Sequence, residues 1–132
     1  MTIKERLRDY KALCDDIRSM EDEIGRLYYK ATLPTFQGDG VHVQSSKQMD
    51  VMGDIVAAYL DEAERLAEKL QRRKREQEDI EKLIGTLTSR ERRLIRLRYF
   101  EGISWERVAV EMDYSIHWVW KKHGEILEKL KV

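Results

Sequence analysis

The sequence has one proline, one cysteine, no long apolar run and no net charge. One proline and seven glycines in 132 residues give too little punctuation for a sandwich or barrel, which needs a turn about every 8–12 residues. The lone Cys14 excludes an intrachain disulfide and a cysteine-based zinc site. No stretch approaches the roughly 18 apolar residues of a membrane span. Lys4, Glu5 and Arg6 charge the start, so no signal peptide is visible there. A cytoplasmic protein with no membrane partner is expected.

What fills the sequence instead is helix-forming. Ala, Glu, Lys, Leu and Arg supply 60 of the 132 residues, a bias towards long helices. Leu, Ile, Val and Phe make up a quarter of the chain, which excludes wholesale disorder. The zero net charge hides a gradient. Residues 34–87 carry eight positive and eleven negative side chains, and residues 88–132 carry ten and seven. A nucleic-acid contact is therefore sought in the C-terminal third.

Thr2 with Glu5 three residues on is a capping-box pattern. From there apolar residues recur at Ile3, Leu7, Tyr10, Cys14 with Leu13 beside it, Ile17, Met20, Ile24, Leu27 or Tyr28, and Ala31, one stripe of a long helix. Pro34 ends it, because the residue before proline avoids the helical region. Residues 34–48 read as a long loop, with a short extended piece at Val41-His42-Val43. A second long helix is expected from about Met49 to Ile84, its stripe running through Met52, Ile55, Val56, Tyr59, Ala63, Leu66, Leu70, Ile80 and Leu83. Residues 71–79 have no apolar member. That gap is expected either to lie beyond the hairpin's end or to be paired in a partner chain. Its Arg72, Arg73, Lys74 and Arg75 read as a solvated face, with phosphate contact as the alternative. Two long amphipathic helices joined by one loop form an antiparallel hairpin, a surface through which the chain could also form a homo-oligomer.

After Leu87 the elements shorten. Thr88-Ser89-Arg90-Glu91 is a second capping box, opening a helix with Leu94, Ile95, Leu97 and Phe100 on its apolar side. Gly102 is placed to end it in the left-handed conformation. Ser104 caps a helix over 105–112 whose inward face is Val108, Ala109 and Met112. Asp113-Tyr114-Ser115 then makes a tight turn, and Ser115 caps a last helix from Ile116 to about Leu130. Two helices joined by a three-residue turn match a helix-turn-helix, and the small Ala109 permits their close crossing over Val119. The expected fold is all-α: a helical hairpin over 1–85 followed by a helix-turn-helix module over 86–132.

The residues of this stretch resemble region 4 of the sigma-70 family. The resemblance is carried by Leu87-Thr88-Ser89-Arg90-Glu91-Arg92, Ile95 to Ser104, Val108-Ala109-Val110-Glu111-Met112 and the ending Tyr114-Ser115…Val119…Ile126 to Leu130. It covers residues 87–130 without a gap. The whole layout is similar to small prophage-encoded late transcription regulators of the ArpU/RinA type. The resemblance implies a sequence-specific DNA-binding regulator that activates phage or prophage genes, with double-stranded DNA and RNA polymerase as partners. It makes Ile116–Leu130 the recognition helix and places Ile116, His117, Trp120 and Lys121 at the base-reading or flanking-phosphate positions. Arg90, Arg92 and Arg93 fall near the DNA backbone. Asp113 stands where the family usually has glycine, a mild departure because Asp tolerates the left-handed conformation. Lys122 stands where the family often has an apolar residue.

Blander readings stand beside these. Trp105 reads as core packing, and Trp118 and Trp120, two apart, point to different sides of their helix. His42, His117 and His123 share no metal-ligand spacing, and no cofactor is expected. No phosphate loop, nucleophile elbow or clustered acid pair appears, so an enzyme is not expected. Two rival functions remain: a small-terminase-like packaging protein that binds DNA, and a helical adaptor that binds protein only.

Overall fold

The computed structural model describes residues 1–32 and 46–131. All regular structure among these is helical. The hairpin is formed by α1 (Ile3–Thr32) and α2 (Ser46–Gly85). The capping box at the start of α1 is complete. The Thr2 hydroxyl accepts the Glu5 N–H at 3.2 Å, and the Glu5 carboxylate accepts the Thr2 N–H at 2.9 Å. The second helix begins at Ser46 rather than Met49. The rest of the loop expected over 34–48, with its extended 41–43 piece, lies outside the described residues.

Two compact units are distinguished along the chain. One is Asp16–Arg73, the other Met1–Asp15 together with Lys74–Val132. This division differs from one drawn at residue 85, because the first turns of α1 and the last turns of α2 belong with the C-terminal helices. In the first unit Ile17, Leu27, Ala63 and Leu70 are buried, and the Lys30 ammonium lies 5.9 Å over the Tyr59 ring.

In the second unit Leu7 and Leu13 of α1 are buried along with Ile80 and Ile84 of α2. The Tyr10 hydroxyl donates to Glu81 at 2.7 Å, and the Tyr10 ring stacks on Phe100 at 4.1 Å. The polar gap at 71–79 does not lie beyond the end of the hairpin. Its inward positions, one and two turns past Leu70, are taken by half-buried Lys74 and Gln77. The Gln77 amide donates to Cys14 Sγ at 3.2 Å, so Cys14 sits opposite an amide as well as on an apolar stripe. Arg72, Arg73 and Arg75 are exposed.

The C-terminal helices follow in short order: α3 (Ser89–Ile95), α4 (Trp105–Met112) and α5 (Ile116–Leu130). The regular α-helix expected to run on to Phe100 stops at Ile95. Residues Arg96–Phe100 wind as a wider π-helical turn, closed by the Glu101 N–H on the Arg96 carbonyl at 2.8 Å. Gly102 then takes φ 71°, and the Ile103 N–H reaches back to the Leu97 carbonyl at 3.2 Å. Leu94, Ile95, Val108, Val119 and Ile126 have no exposed surface, so α3, α4 and α5 enclose one core.

Candidate nucleic-acid interface

Each helix of the C-terminal module starts on a side-chain cap. Thr88 accepts from the Glu91 N–H at 3.3 Å, Ser104 from the Arg107 N–H at 3.2 Å, and Ser115 from the Trp118 N–H at 3.1 Å. Each cap satisfies an amide that the helix itself leaves without a partner. The turn between α4 and α5 is fixed as tightly. Asp113 takes φ 61°, ψ 41°. The Tyr114 N–H bonds the Ala109 carbonyl at 3.1 Å and the Asp113 N–H bonds Val110 at 3.2 Å, the bond pair of a Schellman turn. Ala109 and Val119 are buried at this junction.

This turn sets which face of α5 points outward. Val119, His123, Ile126 and Leu130 face in. Of the residues expected to read DNA, His117 and Lys121 are exposed, Trp120 is 48% exposed and Ile116 is half-buried. His117 meets the Trp120 ring edge-on at 5.6 Å. No acid pairs with Lys121 among the described residues, whereas Lys122 and Lys129 both turn to Glu91.

The three arginines expected near a DNA backbone divide into two settings. Arg90 is exposed, with its guanidinium 5.4 Å over the Tyr114 ring. Tyr114 in turn stacks on Trp118 at 3.7 Å. A cation over an aromatic face is held without being neutralised, so the stack brings Arg90 to the turn with its charge intact. Arg92 and Arg93 lie instead along a shallow recess with Ser89, Arg96, Leu97 and Glu101. Arg92 donates to the Ser89 hydroxyl at 3.3 Å, and Arg93 to the Glu111 carbonyl at 3.0 Å. The Arg93 bond falls on the last turn of α4, where carbonyls lack helical partners and a cation is favourable.

Two residues behind this face were not singled out as site residues from the sequence. Glu91 is 2% exposed. Its carboxylate accepts from Lys129 Nζ at 2.8 and 3.0 Å and from the Thr88 N–H at 3.0 Å, and Lys122 Nζ stands 3.7 Å away. Burial alone would push this carboxyl up. The bonds from Lys129 and Thr88 outweigh it and hold the pKa at about 2. Lys122, at the position where sigma region 4 often has an apolar residue, therefore lies in an ion pair with a buried acid. The other residue is His123, whose Nε2 lies 2.6 Å from the Tyr99 hydroxyl and whose ring meets the edge of Trp105 at 4.6 Å. Trp105 is half-buried here, between His123 and the Arg98 guanidinium.

Among the described residues no group of His, Cys, Asp and Glu is placed to hold a metal ion. No helix among them is long and apolar enough to cross a membrane. No similar curated protein and no similar solved structure was found. One family model, described as "Protein of unknown function (DUF722)", matches residues 3–132, and the chain belongs to that family.

Proposed function

We propose that the protein binds duplex DNA in a sequence-specific manner through α4, its turn and α5, and that it regulates transcription. The observation that carries this reading is the outward face of α5. A Schellman turn and a serine cap fix where the helix starts, and His117, Trp120 and Lys121 are exposed on it, with half-buried Ile116 beside them. The major groove is about 12 Å wide and admits one helix. With α5 in the groove, Lys121 and His117 supply the polar contacts to base edges, and Ile116 and Trp120 supply apolar contact with thymine methyls. Arg90, Arg92 and Arg93 take phosphates, which position the helix without specifying sequence. The resemblance to sigma region 4 adds promoter DNA and RNA polymerase as partners, and activation of phage or prophage genes as the outcome.

The experiment is selection of bound sequences from random duplexes, followed by titration at several salt concentrations. Wild type should enrich a motif and lose affinity steeply with salt, since phosphate contacts release counterions. His117→Ala should change the preferred sequence more than the non-specific affinity. No enriched motif and no salt-dependent binding would overturn the reading. A protein-binding adaptor would then take its place, a reading favoured by Val110, 78% exposed on α4, and by the half-exposed Trp120.

A further inference from the structure

Away from the outward face of α5, Lys4, Arg8, Arg98, Tyr99, Gly102 and Trp105 line one open cleft. Lys4 and Arg8 are one turn apart at the start of α1, so the cleft joins the first helix to the loop that enters α4. Arg98 is fixed in place. Its guanidinium lies 4.6 Å over the Trp105 ring and donates to the Ile103 carbonyl at 3.0 Å. A ring and a carbonyl orient a cation but leave its charge uncompensated. Among the described residues no carboxylate lines the cleft. Glu5, on the same helix, accepts the Thr2 N–H and also interacts with the Arg8 charge, and Glu101 lines the other recess with Arg92, Arg93 and Arg96.

Three cations line the cleft, Lys4 and Arg8 exposed and Arg98 half-buried, and an anion seated there would gain from all three. The groups behind the cleft register that field. Burial first, then the charges of Lys4 and Arg98, hold the His123 imidazole well below its ordinary value. Arg98 and Arg8 also act on the Tyr99 phenol, against the burial that raises it. A phosphate oxygen seated between these side chains would be met by three donors, one of them a planar guanidinium suited to such a group.

We infer that this cleft seats a backbone phosphate of duplex DNA, so that α1 is part of the nucleic-acid surface. The inference rests on the duplex-binding reading above. Trp105 is the first residue of α4, and in a helix-turn-helix the first helix crosses the phosphate backbone while the second enters the groove. The cleft therefore opens beside the first turn of the helix that crosses the backbone.

The test uses the whole chain and salt titrations on both a selected and an unrelated duplex. Lys4→Ala and Arg8→Ala should each weaken binding to the two duplexes alike and lower the salt slope by about 1. The enriched motif should stay the same. Lys69→Ala, an exposed lysine on α2 in the other compact unit, removes the same charge and should leave the slope unchanged. Lys4 and Arg8 are exposed, so melting curves should match wild type and separate loss of contact from loss of fold. Wild type that binds with an unaltered slope in both cleft variants would overturn this inference alone. The same drop in Lys69→Ala would also overturn it, by showing an effect of net charge. Wild type that binds no duplex would overturn the reading on which it rests.

Discussion

Asp113 holds φ 61°, a backbone region that costs an L-residue roughly 1–2 kcal/mol. Its short polar side chain makes it one of the few non-glycine types found there. Asp113→Val is therefore expected to lose about 1–2 kcal/mol of stability, and Asp113→Gly to lose none, as read by urea denaturation. Acid should act through two other residues. Burial, helped by Lys4 and Arg98, keeps His123 neutral, with a pKa of about 4 against the ordinary 6.5. Its unfolded form binds a proton first, so its contribution to stability is complete above pH 6.5 and is lost as pH falls from about 6.5 to about 4. Glu91 is also depressed, from 4.5 to about 2. Its contribution is complete above pH 4.5 and is lost as pH falls through that lower window. Glu91→Gln should remove the lower window and, because the hydrogen bonds involve charged groups, cost about 1–3 kcal/mol at neutral pH. Denaturation midpoints at pH 7, 5 and 3 would show both effects.

Ala109 is 7% exposed between α4 and α5, where a larger side chain has to push the helices apart. Ala109→Leu should cost about 1–3 kcal/mol, seen as a lower melting temperature for the C-terminal module and as weaker DNA binding. That junction was legible in the sequence because its signals are local. Thr88, Ser104 and Ser115 bond amides three residues on, Gly102 and Asp113 end helices in place, and Val108, Ala109 and Met112 follow helical spacing. The less legible features depend on partners distant in sequence. Glu91 was recognised as half of a capping box, but its burial depends on Lys129, 38 residues away. His123 has no helical signature that reveals Tyr99. The polar 71–79 segment looked unpartnered because Gln77 meets Cys14, 63 residues earlier. The wider turn at Arg96–Phe100 carries no Pro or Gly to mark it.

Trp105, Trp118 and Trp120 are the only tryptophans in the chain, so tryptophan fluorescence, excited at wavelengths tyrosine does not absorb, reports the C-terminal module alone. Phe100 stacks on Tyr10, and Leu7, Ile80 and Ile84 are buried in the same compact unit as that module. Residues 86–132 expressed alone are therefore expected to melt by fluorescence well below the temperature found in the whole chain. Equal melting would mean that the first turns of α1 contribute nothing to the module. The same arrangement has a consequence for synthesis. Leu7 and Tyr10 leave the ribosome early, yet Glu81 and Phe100 are made much later. Contacts within residues 16–73 depend on nothing made after them, but the opening turns of α1 must hold an uncovered apolar stripe until the strand of translation has passed Phe100. Closing so long an intervening segment adds an entropic cost that grows only slowly with its length. The greater hazard is the waiting interval, when exposed apolar surface invites association with other nascent chains.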